Sequence, residues 1–299
     1  MSQATHAYTF SAPAKFNLFL HVTGRRDDGM HLLESIFVLV DLIDTLTIEV
    51  LSEPEVVRTG DVIGDVQQDL CVRAAKLLQE ETGCTLGAKI DVKKRIPSGA
   101  GLGGGSSDCA TTLMALNRLW KLNLSKSRLM ELGNHLGADV PFFIFGTSAL
   151  ARGTGDVLEK IEVPESHWAM IMPETPTSTH LIFRDPDLTR DTKSLKIALL
   201  SDQIRLRWPE LPGKNDLQAV AVRVNPRIQT ALDALGCGAR MTGSGSAVFA
   251  WASSQEQALE KLKNTPAGMR GYAFKNLSKH PFEKELQAFL QDNDLIGYN

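Results

Sequence analysis

The chain has 299 residues, 43% of them apolar, enough to fill the cores of two ordinary domains. Its formal net charge of −3 offers no basic field for nucleic acid, and the largest basic cluster is Lys93-Lys94-Arg95. There is no eighteen-residue apolar run and no basic-then-apolar leader, and the four scattered cysteines form no Cys-x-x-Cys pair, so membrane spanning, export, zinc binding and a disulfide framework are all disfavoured and a cytoplasmic location is expected.

In chain order, apolar alternation predicts strands over residues 8–13, 16–22, 36–40 and 45–50, then a helix over 69–83. Ile90, Val92, Lys94 and Ile96 alternate with Lys89, Asp91, Lys93 and Arg95, which predicts a strand with one wet face. Lys93 reads as part of that solvated face, whereas Lys94 or Arg95 is placed to help bind a nucleotide. Cys109, Leu113, Leu116 and Trp120 then recur at helical spacing and predict a helix over 107–120. A helix over 125–136, stopped by Gly137, and a short strand over 149–151 follow. A seam near Pro164 divides the chain into units of 1–163 and 164–299. The second unit opens on a proline-rich, polar stretch over 173–212 and continues with a helix at 215–223, a strand at 247–252 and a helix at 254–264. The chain reads as α+β in two domains.

Between the strand at 89–96 and the helix at 107–120 runs Pro97-Ser98-Gly99-Ala100-Gly101-Leu102-Gly103-Gly104-Gly105-Ser106-Ser107-Asp108, five glycines within seven residues. Glycine adopts φ > 0 without penalty and lets backbone N–H groups converge on anionic oxygens. Ser106, Ser107 and Asp108 are good N-cap types, and the positive end of the following helix favours phosphate. A Walker A loop is excluded because no lysine follows Gly105. Gly99, Gly101 and Gly104 satisfy G-x-G-x-x-G, but no acidic residue lies in 116–126 to hold a ribose, and the His-Arg-Asp and Asp-Phe-Gly signatures of protein kinases are missing. The bland alternative is a connecting turn.

Together with Met241-Thr242-Gly243-Ser244-Gly245-Ser246-Ala247, this loop resembles the second and third motifs of the GHMP kinases, the small-molecule kinases named for galactose, homoserine, mevalonate and phosphomevalonate. Pro13-Ala14-Lys15-Phe16-Asn17-Leu18 resembles their first motif. Arg25-Arg26-Asp27-Asp28-Gly29-Met30-His31, Gly137-Ala138-Asp139-Val140-Pro141-Phe142-Phe143, Leu181-Ile182-Phe183-Arg184-Asp185-Pro186 and Asn215-Asp216-Leu217 are similar to the branch that phosphorylates 4-diphosphocytidyl-2-C-methyl-D-erythritol. The resemblance implies a two-domain GHMP kinase fold, with an N-terminal ribosomal-protein-S5-like ATP-binding domain and a C-terminal ferredoxin-like α/β sandwich that binds substrate. It implies ATP as co-substrate with Mg²⁺, and transfer of phosphate to the acceptor's 2-hydroxyl in the non-mevalonate route to isoprenoid precursors. A small-molecule substrate is thus the expected partner, and no obligate protein partner is evident.

Residue by residue, the resemblance makes Asp139 the base and Lys15 its electrostatic partner. From the residues alone, Asp139 also reads as the cap of a helix beginning at Val140, and Lys15 as a lysine reaching from a sheet edge. The resemblance further implies His31 and Phe183 as readers of cytosine, with Met30 in place of a usual tyrosine, and Asn17 and Thr179 as polar contacts. Gly243, Ser244 and Gly245 become a phosphate-proximal loop, which otherwise reads as a turn before a strand. Ser106 or Ser107 is placed to touch the metal or its phosphates; no protein ligand for it is identified. Homoserine or mevalonate kinase, a decarboxylase on the same fold and a catalytically dead nucleotide sensor are the rival readings. The Asp-Gly-Met-His and Ile-Phe-Arg-Asp-Pro segments oppose the other kinases, and Lys15 with Asp139 opposes the sensor.

Overall fold

The computed structural model describes residues 6–175 and 177–295. Two long strands, β1 (Ala7–Arg25) and β2 (His31–Leu51), pair antiparallel along their length and form the spine of a first sheet. Each absorbs two of the expected strands. Pro13, which reads as a strand end, is accommodated by a register shift between Pro13 and Ala14, so the strand bends and continues. The other edge of β2 is shared between two partners. Its C-terminal half pairs with β4 (Gly87–Lys93), and β3 (Val56–Gly60) lies parallel beyond that strand.

After β3 the chain forms α1 (Leu70–Thr82), capped by the Asp69 carboxylate and closed by Gly83 at φ 67°. Then come β4 (Gly87–Lys93) and α2 (Gly104–Leu119). Ser106, Ser107 and Asp108 are not caps: α2 begins one turn earlier than expected, on Gly103 at φ 71°. It is also not an amphipathic surface helix, since every residue from Ser107 to Asn117 is buried. Next come α3 (Lys126–Leu136), α4 (Val140–Phe145), β5 (Ala149–Arg152) and β6 (Val157–Lys160). β5 pairs with the N-terminal half of β2, and β6 with β5.

The second sheet starts at β7 (His167–Pro173) and is followed by α5 (Thr179–Arg184), α6 (Ile197–Arg207), α7 (Gln218–Val224) and α8 (Arg227–Leu235). The chain then forms β8 (Arg240–Met241), β9 (Val248–Ala252), α9 (Gln255–Leu262) and β10 (Met269–Lys275). The antiparallel order β10-β7-β9-β8 is the ferredoxin-like arrangement: the first strand is central, and helices α8 and α9 connect the strands. Finally α10 (Phe282–Leu295) returns to the first sheet, where Phe282 lies 5.2 Å from Phe10 between ring centroids.

The two sheets share a core built on strand alternation. Phe16 points from β1 into the second sheet, 4.8 Å from Trp168 and 4.7 Å from Phe249 between centroids. Lys15 and Asn17 therefore project from the opposite face of the same strand. Among the described residues the remaining edge of β1 pairs with no full strand, only through one bridge from Leu20 to Asn215, and its polar groups are taken up by distant segments. Ser11 N–H donates to Glu285 Oε2 at 2.9 Å, Lys15 N–H to Leu102 O at 3.0 Å, Asn17 N–H to Thr242 Oγ1 at 2.8 Å and Leu20 N–H to Lys214 O at 2.9 Å. All three resemblance motifs thus converge on a single strand edge. Among the described residues no helix is long and apolar enough to cross a membrane.

Candidate active site

The glycine loop forms one wall of a cavity of about 400 Å³, which residues 97–106 line in company with Arg58, Asp69, Lys94 and Asp108. Gly99, Gly101 and Gly103 adopt φ of 71°, 74° and 71°, the left-handed conformation that turns consecutive N–H groups inward. Gly103 to Ser106 bring the start of the long helix α2 to the same wall, so its free N–H groups and dipole favour phosphate. Ser107 departs from expectation. It lies on the face of α2 turned to β1, fully buried, with its hydroxyl donating to Pro13 O at 2.7 Å, and it is not among the lining residues.

Behind the loop, the Lys94 ammonium donates to Asp44 and, at 2.6 Å, to Asp108 Oδ2. Lys93 is exposed, as its place on the wet face of β4 predicts. Burial pushes the Asp108 carboxyl up to about 7, with the neighbouring Asp44 adding to the shift and Lys94 opposing it. The folded protein therefore keeps a proton that the unfolded chain releases above the ordinary value of 3.8. Relative to wild type, Asp108→Asn is expected to gain stability as pH rises from 3.8 to about 7 and to change little beyond, with a slope of at most ~1.4 kcal/mol per pH unit. Urea unfolding of both proteins at pH 5 and pH 8 measures this; a difference independent of pH would mean that Asp108 is ionised throughout.

A second cavity, of about 310 Å³, shares Gly101 and Gly103 with the first and is further lined by Lys15, Asn17, Asp139, Thr179, Phe183, Gly243 and Ser244. Lys15 is 5% exposed; its ammonium stands 3.4 Å from Asp139 Oδ2, donates to Asn17 Oδ1 at 3.0 Å and lies 4.7 Å above the Phe37 ring. Asn17 Nδ2 donates to Ser35 Oγ at 2.8 Å, which fixes the amide so that its oxygen faces the lysine. Asp139 occupies the N-cap position of α4, with Pro141 in the first turn, but its side chain makes no capping hydrogen bond. The carboxylate is instead directed to Lys15 and the cavity, and the simple capping reading falls.

The third loop closes the same space. Asn215 Nδ2 donates to Met241 O and Gly243 O, both at 2.8 Å, and the Thr179 and Ser244 hydroxyls are 2.7 Å apart. Gly243 and Ser244 line the cavity; Gly245 does not, and packs instead beside Met241, where a Cβ would approach Sδ to 2.7 Å. Phe183 lines the outer end and backs onto His31, with 4.8 Å between ring centroids and a 35° tilt. Burial lowers the His31 pKa, and the Arg190 and Arg25 charges lower it further. Met30 is 52% exposed, and both it and His31 lie outside the cavity lining.

Sequence reasoning missed Ser35 and Arg190, and it gave no role to Asn215. Each acts by holding another site residue across a long sequence separation, so no local pattern marks it. Asn215 alone left a signal, as part of the quoted Asn-Asp-Leu motif.

The chain matches the GHMP kinases N terminal domain over residues 69–147 and the GHMP kinases C terminal domain over residues 191–267. It is 45% identical to the 4-diphosphocytidyl-2-C-methyl-D-erythritol kinase of Paraburkholderia phymatum, covering 90% of this chain and 94% of that protein. The kinase of the same name from Ralstonia pickettii is 48% identical, with 91% and 95% covered. A crystal structure of 4-(cytidine 5'-diphospho)-2C-methyl-D-erythritol kinase superposes with a TM-score of 0.79 at 34% identity, covering 90% of this chain and 98% of that one. Homoserine kinase from Cytophaga hutchinsonii shares the fold, with a TM-score of 0.67 at 18% identity over 94% of this chain and 97% of that chain. Two cavities meeting at one glycine loop, and close relatives that match nearly the whole chain, lead to the same conclusion: the chain belongs to the GHMP kinase family, in its 4-diphosphocytidyl-2-C-methyl-D-erythritol kinase branch.

Proposed function

We propose that this protein transfers the γ-phosphoryl group of ATP to the 2-hydroxyl of 4-diphosphocytidyl-2-C-methyl-D-erythritol, giving the 2-phosphate and ADP. This places it in the methylerythritol phosphate route to isoprenoid precursors, in the cytoplasm, a location that the four free cysteines suit. The observation that carries the reading is the shared wall: Gly101 and Gly103 line both the nucleotide cavity and the cavity holding Lys15 and Asp139. A phosphoryl group bound at that wall is presented to an acceptor on the other side, as in-line transfer requires.

In this mechanism Asp139 accepts the proton of the acceptor hydroxyl as its oxygen bonds to the γ-phosphorus, and the bond to the β-phosphate oxygen breaks. Lys15, held by Asn17 and Asp139, places a point charge beside the developing negative charge. Residues 97–106 hold the nucleotide phosphates. Asn17, Thr179, Gly243 and Ser244 orient the acceptor, and His31 and Phe183 receive the cytosine, with Met30 at the outer rim. Residues 1–163 then carry most of the ATP site and residues 164–299 close the acceptor site.

Magnesium fits this site as an ion held mainly by phosphate oxygens and water, since no cluster of three acidic, histidine or cysteine side chains gathers among the described residues. Ser106, which lines the nucleotide cavity beside the phosphate-binding glycines, would help to hold it. When bound, it neutralises charge on the transferred group. ADP release measured with this acceptor, homoserine, mevalonate and no acceptor tests the function. Turnover confined to the cytidine-bearing acceptor is expected, and turnover with another acceptor would overturn the substrate.

A further inference from the structure

Arg190 ties His31 to Phe183, of which Phe183 lines the acceptor cavity and His31 packs behind it. It lies in the segment after α5, and its guanidinium meets no carboxylate within ion-pair distance among the described residues. Its N–H groups go elsewhere. Nη2 donates to Phe183 O and Asp185 O, both at 2.8 Å, Nη1 donates to Leu188 O at 3.0 Å, and Nε donates to His31 Nε2 at 3.2 Å. Phe183 and Asp185 close α5, whereas His31 opens β2 in the first sheet. One side chain therefore fixes the last carbonyls of a helix and the imidazole that stacks on it.

The bond to His31 has a chemical consequence. Arginine is only a donor, so Nε2 must be the unprotonated nitrogen, and the neutral ring carries its proton on Nδ1. An Nδ1–H donor facing position 3 of the base suits cytosine, whose N3 is an acceptor, whereas the O2 acceptor is common to cytosine and uracil and does not discriminate. The donor is mismatched with the N3–H of uracil, which would leave two donors facing each other.

We propose that Arg190 is a positioning residue for base recognition, which holds His31 as the Nδ1–H tautomer against Phe183 and so selects cytosine over uracil at the acceptor's nucleobase. The inference rests on the reading of His31 and Phe183 as the base-recognition pair. Arg190 lines neither cavity and bonds to neither Lys15 nor Asp139, so its effect is expected on acceptor affinity and not on the transfer step.

Four experiments test it. Nitrogen-15 spectra of the histidine side chains in the wild-type protein are expected to show His31 protonated at Nδ1; protonation at Nε2 would overturn the proposal without any variant. Arg190→Gln is expected to raise KM for the cytidine acceptor about 10-fold, with kcat and the KM for ATP unchanged, and to erode the preference over the uridine analogue. Arg190→Lys, which keeps the charge but lacks the planar fork, is expected to restore that preference only in part. His31→Ala separates the two levels of the argument. If it raises the acceptor KM while Arg190→Gln leaves KM and tautomer unchanged, the role of Arg190 fails and the base reading stands. Were His31→Ala also without effect, the base reading itself would fall.

Discussion

Replacing Asp139 with asparagine is expected to lower kcat by about 10²–10⁴-fold, the range supplied by a positioned general base, while the KM values for ATP and acceptor stay near wild type. Asparagine keeps the shape of the side chain but cannot take the hydroxyl proton. The neighbouring Lys15, 3.4 Å away, loses its ionic partner but retains the Asn17 amide oxygen at 3.0 Å, so the ammonium is expected to stay in place. Lys15→Met removes the point charge and is expected to be comparably slow. Because the two groups act as one unit, the double variant should be little worse than either single one. Rapid-quench measurement of the first turnover isolates the chemical step from product release. A decrease of less than about tenfold for Asp139→Asn would show that the proton leaves by another route.

Gly103→Ala is expected to damage both half-sites at once. Gly103 has φ 71°, where an L side chain costs about 1–2 kcal/mol, and its Cβ would stand 2.9 Å from Phe143 Cζ and 3.3 Å from Lys15 Cγ. Phe143 is fully buried in α4 and cannot swing away, so the loop or Lys15 must move. A displacement of about 1 Å at a reacting group costs on the order of 10²-fold in rate, and here it is shared by the wall of the nucleotide cavity and the lysine of the acceptor cavity. Loss of kcat together with weaker ATP binding by calorimetry is the expected signature. Gly24→Ala is the control: Gly24 lies in β1 outside both cavities, and its Cβ would meet only the Leu32 side chain at 3.4 Å. Equal damage from both substitutions would mean that the loss does not come from the close approach at Gly103.

These positions were legible in the chain to different degrees. The nucleotide loop could be read from local chemistry, since dense glycine between a strand and a helix has few other uses. Its helix start was misjudged because Ser106, Ser107 and Asp108 have the composition of caps, while Gly103, with no side chain to offer, does the capping by conformation. Asp108 instead turns inward to Lys94, which a propensity argument weighing neighbours in sequence does not reveal. Similarly, Pro13 reads as a break, and only the register shift beside it shows how the strand continues. The pairing of Lys15 with Asp139, and of Arg190 with His31, depends on tertiary placement alone. Resemblance identified the first pair as a site. It said nothing of the second, because Arg190 lies outside every motif it rests on.

The strand edge that holds all three motifs also sets an order of events during synthesis. β1 leaves the ribosome before these partners, and its outward amides at Ser11, Lys15, Asn17 and Leu20 wait for Glu285, Leu102, Thr242 and Lys214. An unpaired edge of this kind invites pairing with another chain until it is covered. The last of those partners lies in α10, so a chain stalled before it leaves the Ser11 end of the strand uncovered. Amide exchange at Asn17 would report this directly, because protection there requires the Thr242 loop to be docked.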